Sequence, residues 1–110
     1  MNDFPKTKRL LNKFEYDAVF KEATRLGTSA FIVLYRDNAI GHARLGLAIS
    51  KKMVSKSHDR NRLKRLLRET FRKAKLPSVD IVILAKRGAA SVQTSTLIAH
   101  MNGVWGKLLG

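Results

Sequence analysis

The sequence predicts a single α+β domain, an α/β sandwich in which helices pack on a small sheet. The chain has 110 residues, of which 45% are hydrophobic, and this is enough for one modest core. A β-branched run at 79–85 is typical of a strand buried on both faces, whereas apolar side chains in 58–73 recur with helical spacing. An alternating segment, 44–50, precedes that helix. Together these three segments predict a βαβ unit.

Shorter signals predict the remaining elements. Asn12 and Glu15 have the spacing of a capping box and begin a helical pattern over 12–24. Residues 30–35 are β-branched and aromatic and precede an Asp-Asn turn signal, which favours a strand. Residues 91–109 carry apolar side chains at helical spacing. The expected order is therefore α-β-β-α-β-α.

Several classes of catalytic or metal site are excluded by composition. The chain has no cysteine, which removes disulfides, thiolate zinc sites and cysteine nucleophiles. Its three histidines fit no metal-ligand spacing, and Asp80 alone cannot form a two-metal nuclease centre. We therefore expect no catalytic residue in this chain and leave any metal ligands unassigned. The N-terminus lacks the apolar segment of a signal peptide, so we expect a cytoplasmic protein.

The charge predicts a polyanionic partner. Lys and Arg number 22 against 8 Asp and Glu, giving a net charge of +14, and residues 51–75 alone hold eleven basic and two acidic side chains. Like charges on one helix face repel each other, which is unfavourable unless a polyanion binds there. Because arginine binds phosphate in a bidentate manner, nucleic acid is the expected ligand of this chain, which we interpret as one domain over 1–110 with a flexible basic segment at 1–11. The side chains opposite the apolar face of the helix at 58–73 are Asn61, Lys64, Arg65, Arg68 and Arg72.

Two aromatic residues admit two interpretations. Tyr16 and Phe20 are four positions apart, so they lie one above the other on one helix face. Aromatic residues at this spacing are common in cores, but they also line grooves in which RNA bases stack. The pattern alone leaves both interpretations open.

Three segments of the chain resemble a known family. They are RLGLAISKK at 44–52, RNRLKRLLRE at 60–69 and DIVILAKRG at 80–88, and they resemble the protein subunit of bacterial ribonuclease P. The resemblance extends from Arg9 to Trp105. It implies a fold of the ribosomal S5 domain 2-like type with a left-handed βαβ crossover, against the usual right-handed preference.

The resemblance also implies a division of labour. In that family the RNA subunit, with Mg²⁺, hydrolyses the phosphodiester that releases the 5′ leader of precursor tRNA, while the protein binds the leader and assists metal binding. The partners would be ribonuclease P RNA and the precursor tRNA leader. Neither a membrane nor DNA is expected as a partner. By position, the residues that meet the catalytic RNA would be Arg60, Asn61, Arg62, Lys64, Arg65 and Arg68. Those of the leader cleft would be Tyr16, Phe20, Tyr35, Ser50 and Lys51. Many members of the family have phenylalanine at the position of Tyr16.

Two other classes of function fit size and charge. A structural ribosomal or RNA-chaperone protein would have a similar composition and fold class. A helix-turn-helix DNA-binding protein is disfavoured because a strand and a loop precede the basic helix, where that motif needs another helix. Arg62 points toward the side of the basic helix that carries Glu69, so its loss is expected to act through structure instead of through RNA.

Overall fold

The computed structural model describes residue 9 and residues 12–109. Of the predicted flexible segment 1–11, all but Arg9 lies outside the described residues. Among the helices in the described part of the chain, none is long and apolar enough to cross a membrane. The elements are α1 (Lys13–Glu22), β1 (Thr24–Gly27), β2 (Phe31–Asp37), β3 (Arg44–Ala48), α2 (Ser57–Ala74), β4 (Val79–Ala85), a short 3-10 turn (Ala89–Ser91) and α3 (Thr94–Leu109). The mixed α+β class is confirmed.

The four strands form one sheet in the order β1-β2-β4-β3. Strands β3 and β4 are parallel neighbours joined through α2, so the predicted βαβ unit is confirmed. Its left-handed crossover stays a prediction. Strand β2 pairs antiparallel with both β1 and β4. Six of the seven residues of β4 are buried, as its unbroken apolar run predicts for a strand covered on both faces.

The N-terminal part of the chain differs from the prediction in one element. Asn12 caps α1 as predicted, and its side chain accepts a hydrogen bond from the Glu15 amide at 2.9 Å. The helix ends at Glu22, however, and Thr24–Gly27 forms strand β1, which was missed. This edge strand is almost wholly exposed and is held by main-chain pairing with β2. It therefore has no apolar alternation that a sequence pattern could show.

The main core lies between the sheet and the pair α2 and α3. Apolar side chains from β2, β3 and β4 meet the buried faces of both helices there. Phe71 of α2 and Trp105 of α3 pack edge to face, with ring centroids 6.0 Å apart and planes at 73°. Helix α1 covers part of the opposite face, where Val19 packs against Val82. The sheet therefore has one closed face and one partly covered face.

Candidate RNA interface

Three rows of cross-strand neighbours form the sheet face under α1. Successive side chains of a strand point to opposite faces, so the register of β2, β4 and β3 assigns every second residue to this face. We name the rows by their surroundings: the charged row is Arg36, Asp80 and Arg44, the covered row is Leu34, Val82 and Gly46, and the open row is Ile32, Leu84 and Ala48.

The charged row fixes the start of α1. Arg44 donates two hydrogen bonds to Asp80, from Nε at 2.9 Å and from Nη2 at 2.8 Å. Its remaining nitrogen, Nη1, donates to Glu15 of α1 at 2.7 Å. Arg36 donates from Nη1 to the Ala18 carbonyl of the same helix at 3.0 Å. These contacts tie one flank of α1 to one end of the sheet.

Asp80 and Arg44 of the charged row both stay ionised at neutral pH. Burial raises the pKa of Asp80, but hydrogen bonds from Arg44 and Asn38 outweigh it and hold that pKa below its ordinary value. The hydrogen bond to Asp80 in turn raises the pKa of Arg44. The carboxylates of Asp80 and Glu15 are both bound to a guanidinium and do not fit a divalent cation. Within 12–109 and residue 9, no three acidic or histidine side chains cluster as metal ligands would.

Tyr16 lies across the covered row. A Cβ atom at Gly46 would lie 2.8 Å from the Tyr16 ring, so only glycine allows this approach. The Tyr16 hydroxyl donates to the Leu47 carbonyl at 3.5 Å. Burial raises the pKa of Tyr16, and the positive charge of Arg68 acts in the opposite sense. Arg68 of α2 is therefore close enough to Tyr16 of α1 for its charge to act on the phenol.

Phe20 lies beside the open row. Glu15 and Ala18 contact the charged row, and at about 100° per residue Phe20 belongs to the opposite flank of α1, next to Tyr16. Its side chain is 46% exposed. All three residues of the open row are only half-buried. Neither interpretation therefore holds for both aromatic residues: Tyr16 packs partly on the sheet, whereas Phe20 stays exposed beside the open row. We call the space bounded by Tyr16, Phe20 and the open row the groove.

The outer face of α2 carries the predicted basic stripe. Asn61, Arg65 and Arg68 are exposed, and Lys64 is half-buried. Arg72 is also exposed and pairs with Glu69 at 2.8 Å. The positive charge of Arg68 acts on Tyr16, so this part of the stripe comes near the α1 side of the sheet. A polyanion lying on α2 would therefore reach the groove edge.

Two arginines of the basic motif make contacts inside the protein. Arg60 donates from Nη1 to the carbonyls of Val54 and Ser55, at 3.0 and 2.9 Å, and so closes the loop before α2. Its predicted contact with catalytic RNA would have to use its remaining donors. The sequence showed its charge but not these carbonyls, which lie five and six residues away.

Arg62 also has partners within the fold. It donates to the Thr94 hydroxyl and to the Ala90 carbonyl, both at 2.9 Å, and so joins α2 to the start of α3. This agrees with the structural effect expected from its position on the helix. The free cations of the motif are thus Lys64, Arg65 and Arg68 as far as the described residues show.

The end of β3 places two further predicted residues near the groove. Ser50 follows the alternation of Gly46 and Ala48, so it lies on the groove side, and its hydroxyl accepts a hydrogen bond from the Met53 amide at 3.3 Å. Lys51 is exposed in the turn that follows. Lys86, which was not predicted, lies on the same side two residues after Leu84 and donates to the Thr28 carbonyl at 2.7 Å. Extending the β4 alternation by one step would have found it.

Tyr35 does not belong to this groove. Its register partner is Ile81, and both side chains point to the face covered by α2 and α3. There Tyr35 packs against the main core. The structure therefore does not bring Tyr35 together with Tyr16, because alternation along β2 places it with Phe31 and Val33 on the opposite face, and its assignment to the leader cleft stays a prediction.

Comparisons with known proteins agree on one family. The family described as Ribonuclease P matches residues 4–109. A ribonuclease P protein component of Legionella pneumophila is 52% identical over 105 residues, which cover 96% of this chain and 92% of that protein. One of Escherichia coli O157:H7 is 40% identical over 104 residues, covering 93% and 87%.

Solved structures lead to the same family. The RNase P protein of Staphylococcus aureus has a TM-score of 0.86 at 26% identity, covering 96% of this chain and all of that one. The Thermotoga maritima protein has a TM-score of 0.80 at 28% identity, covering 93% and 98%. These matches favour the protein subunit of ribonuclease P over the two alternatives, a structural ribosomal or RNA-chaperone protein and a helix-turn-helix DNA-binding protein. The chain therefore belongs to the ribonuclease P family, as the protein component of an endoribonuclease that processes tRNA.

Proposed function

We propose that the chain binds the 5′ leader of precursor tRNA in the groove between α1 and the open row, while the stripe on α2 binds the RNA subunit. The observation that carries this is the half-exposed ring of Phe20 beside the half-buried open row. A ring next to an apolar floor can stack on unpaired bases. Lys51, exposed in the turn after β3, supplies charge for the backbone phosphates.

Catalysis in this proposal belongs to the RNA subunit. Family membership implies an RNA partner and a metal-dependent reaction. The ion, proposed to be Mg²⁺, would be held chiefly by the RNA and would stabilise charge on the phosphodiester being hydrolysed. The residues of this chain bind and orient: Phe20 and Tyr16 meet leader bases, Lys51 meets leader phosphates, and Arg68 binds the RNA subunit with the rest of the stripe. The protein would act in the cytoplasm.

Reconstitution tests the proposal. The protein is mixed with a bacterial ribonuclease P RNA and precursor tRNA at low Mg²⁺, and release of the mature 5′ end is measured. We expect stimulation over the RNA alone and tighter binding of precursor than of mature tRNA. Protein without RNA should not cleave. Absence of stimulation, or cleavage by RNA-free protein, would overturn the proposal.

Salt dependence tests the role of the stripe. Alanine at Lys64, Arg65 and Arg68 should weaken assembly with the RNA subunit and flatten the plot of log K against log salt. Each phosphate contact removed should lower the slope by about 0.7 for a single strand. If the triple variant keeps the wild-type slope, the stripe is a solvated surface.

A further inference from the structure

A second groove lies on the other flank of α2, between α2 and α3. It encloses a cavity of about 440 Å³. Its lining includes none of Tyr16, Phe20 and Arg68, so this groove is separate from the one beside Tyr16. Its lining residues come from both helices: Arg62, Arg65, Leu66, Glu69, Thr70 and Lys73 of α2, and Thr94, Ile98 and Asn102 of α3.

The groove has an apolar floor and cationic ends. Ile98 is 37% exposed there, although it is a large aliphatic side chain, and Leu66 lies beneath the same surface. Arg65 and Lys73 lie eight residues apart on α2, about 12 Å along the helix axis. Glu69 lies between them, paired with Arg72. A negatively charged chain with apolar faces complements such a surface.

The chemistry of the lining fits unpaired nucleotides. Arg65 and Lys73 can meet phosphates, and flat bases can pack on Ile98. Thr94 and Asn102 offer donors and acceptors to base edges, and the Glu69 carboxylate can accept from an exocyclic amine. Arg62 fixes the geometry at one end, because it joins Thr94 and Ala90 to α2.

We propose that the α2–α3 groove binds a short unpaired segment of the RNA subunit, an inference that rests on the proposed function above. The leader strand lies on the Tyr16 flank of α2 and would have to cross the helix to reach this groove. The RNA subunit covers the stripe along the crest of α2 and reaches the second flank directly. The two flanks of α2 thus bind different RNAs: the leader lies on the Tyr16 flank, and the RNA subunit lies on the flank that faces α3.

A matched pair of variants tests this assignment. Ile98→Glu places a carboxylate in the groove, and Ile40→Glu makes the same change at a site 46% exposed in the loop between β2 and β3. Both positions are exposed, so both proteins should keep the wild-type melting temperature. Ile98→Glu should weaken affinity for the RNA subunit by at least about tenfold, since a negative charge opposes the phosphates. Ile40→Glu should bind within about twofold of wild type.

A second pair tests the phosphate contact. Lys73→Ala should lower the slope of log K against log salt for the RNA subunit by about 0.7. Lys107→Ala, an exposed lysine on the opposite flank of α3, should leave the slope unchanged. Chemical probing of the RNA should show that Ile98→Glu removes protection from one short unpaired run and leaves protection elsewhere.

The outcomes separate this inference from the proposed function. If wild-type protein binds and stimulates the RNA subunit but Ile98→Glu and Lys73→Ala assemble normally, the groove assignment fails and the proposed function stands. If Ile98→Glu assembles normally but loses discrimination between precursor and mature tRNA, the groove holds the leader and the inference is overturned. If wild-type protein does not bind the RNA subunit, both fail.

Discussion

The two faces of the sheet are built differently. Toward α2 and α3, the strands present an apolar surface that both helices seal. Toward α1, one row is charged, one is covered by a single helix and one stays half-buried. The sealed face holds the fold together, because burial of apolar area is the main stabilising term. The partly covered face buries less apolar area and therefore stabilises the fold less, and it leaves a groove that a ligand can enter.

The largest effect is expected on the sealed face. Phe71 is 5% exposed and packs edge to face on Trp105. Phe71→Ala should lower the free energy of unfolding by about 3–5 kcal/mol, measured by urea denaturation. Protein that remains folded should still distinguish precursor from mature tRNA. A variant as stable as wild type would mean that α2 and α3 do not seal this face.

A smaller loss is expected from the charged row. Asp80→Asn removes the charge that holds Arg44 and should cost about 2–3 kcal/mol of unfolding free energy. Asp17→Asn is the control, because Asp17 pairs with Lys13 in solvent and should cost less than about 1 kcal/mol.

The same carboxylate makes stability depend on pH. The folded protein holds the pKa of Asp80 below its ordinary value of 3.8, so its contribution is full above that pH. The contribution is lost as pH falls through the lower folded pKa. Unfolding free energy should therefore decline less steeply below about pH 4 in Asp80→Asn than in wild type. Parallel curves would show that another carboxylate controls acid unfolding.

A still smaller effect is expected in the covered row. Gly46→Ala brings a methyl group to 2.8 Å from the Tyr16 ring, so the ring and α1 must move. Overpacking of this kind costs about 1–3 kcal/mol, which thermal or urea unfolding can measure. Gly103→Ala in α3 has nothing within 4 Å of the added methyl group, and we expect it to be neutral or stabilising. Equal costs in the two variants would contradict the contact between Tyr16 and Gly46.

The sequence predicted the sealed face better than the open one. Buried elements such as β4 and α2 show their period in the sequence, because each apolar position reports a contact with the core. Strand β1 shows no such period, since its stability comes from main-chain pairing at an exposed edge. The internal partners of Arg60 and Arg62 are mostly carbonyl oxygens, which no residue type reveals. Tyr35 is a different case: family resemblance alone suggested the cleft, whereas the register of β2 places its side chain on the core face.

The partly covered face is proposed to bind the leader, and two phenylalanines of α1 test this proposal most directly. Phe20 is 46% exposed beside the open row, and Phe14 is 85% exposed elsewhere on the same helix. Affinities of the reconstituted enzyme for precursor and mature tRNA are measured for Phe20→Ala and Phe14→Ala, together with melting temperatures. Phe20→Ala should weaken precursor binding by about 1–3 kcal/mol, leave mature tRNA binding unchanged and alter stability little, whereas Phe14→Ala should match wild type. Equal losses for both tRNAs, or a large drop in melting temperature without a leader-specific loss, would contradict the account.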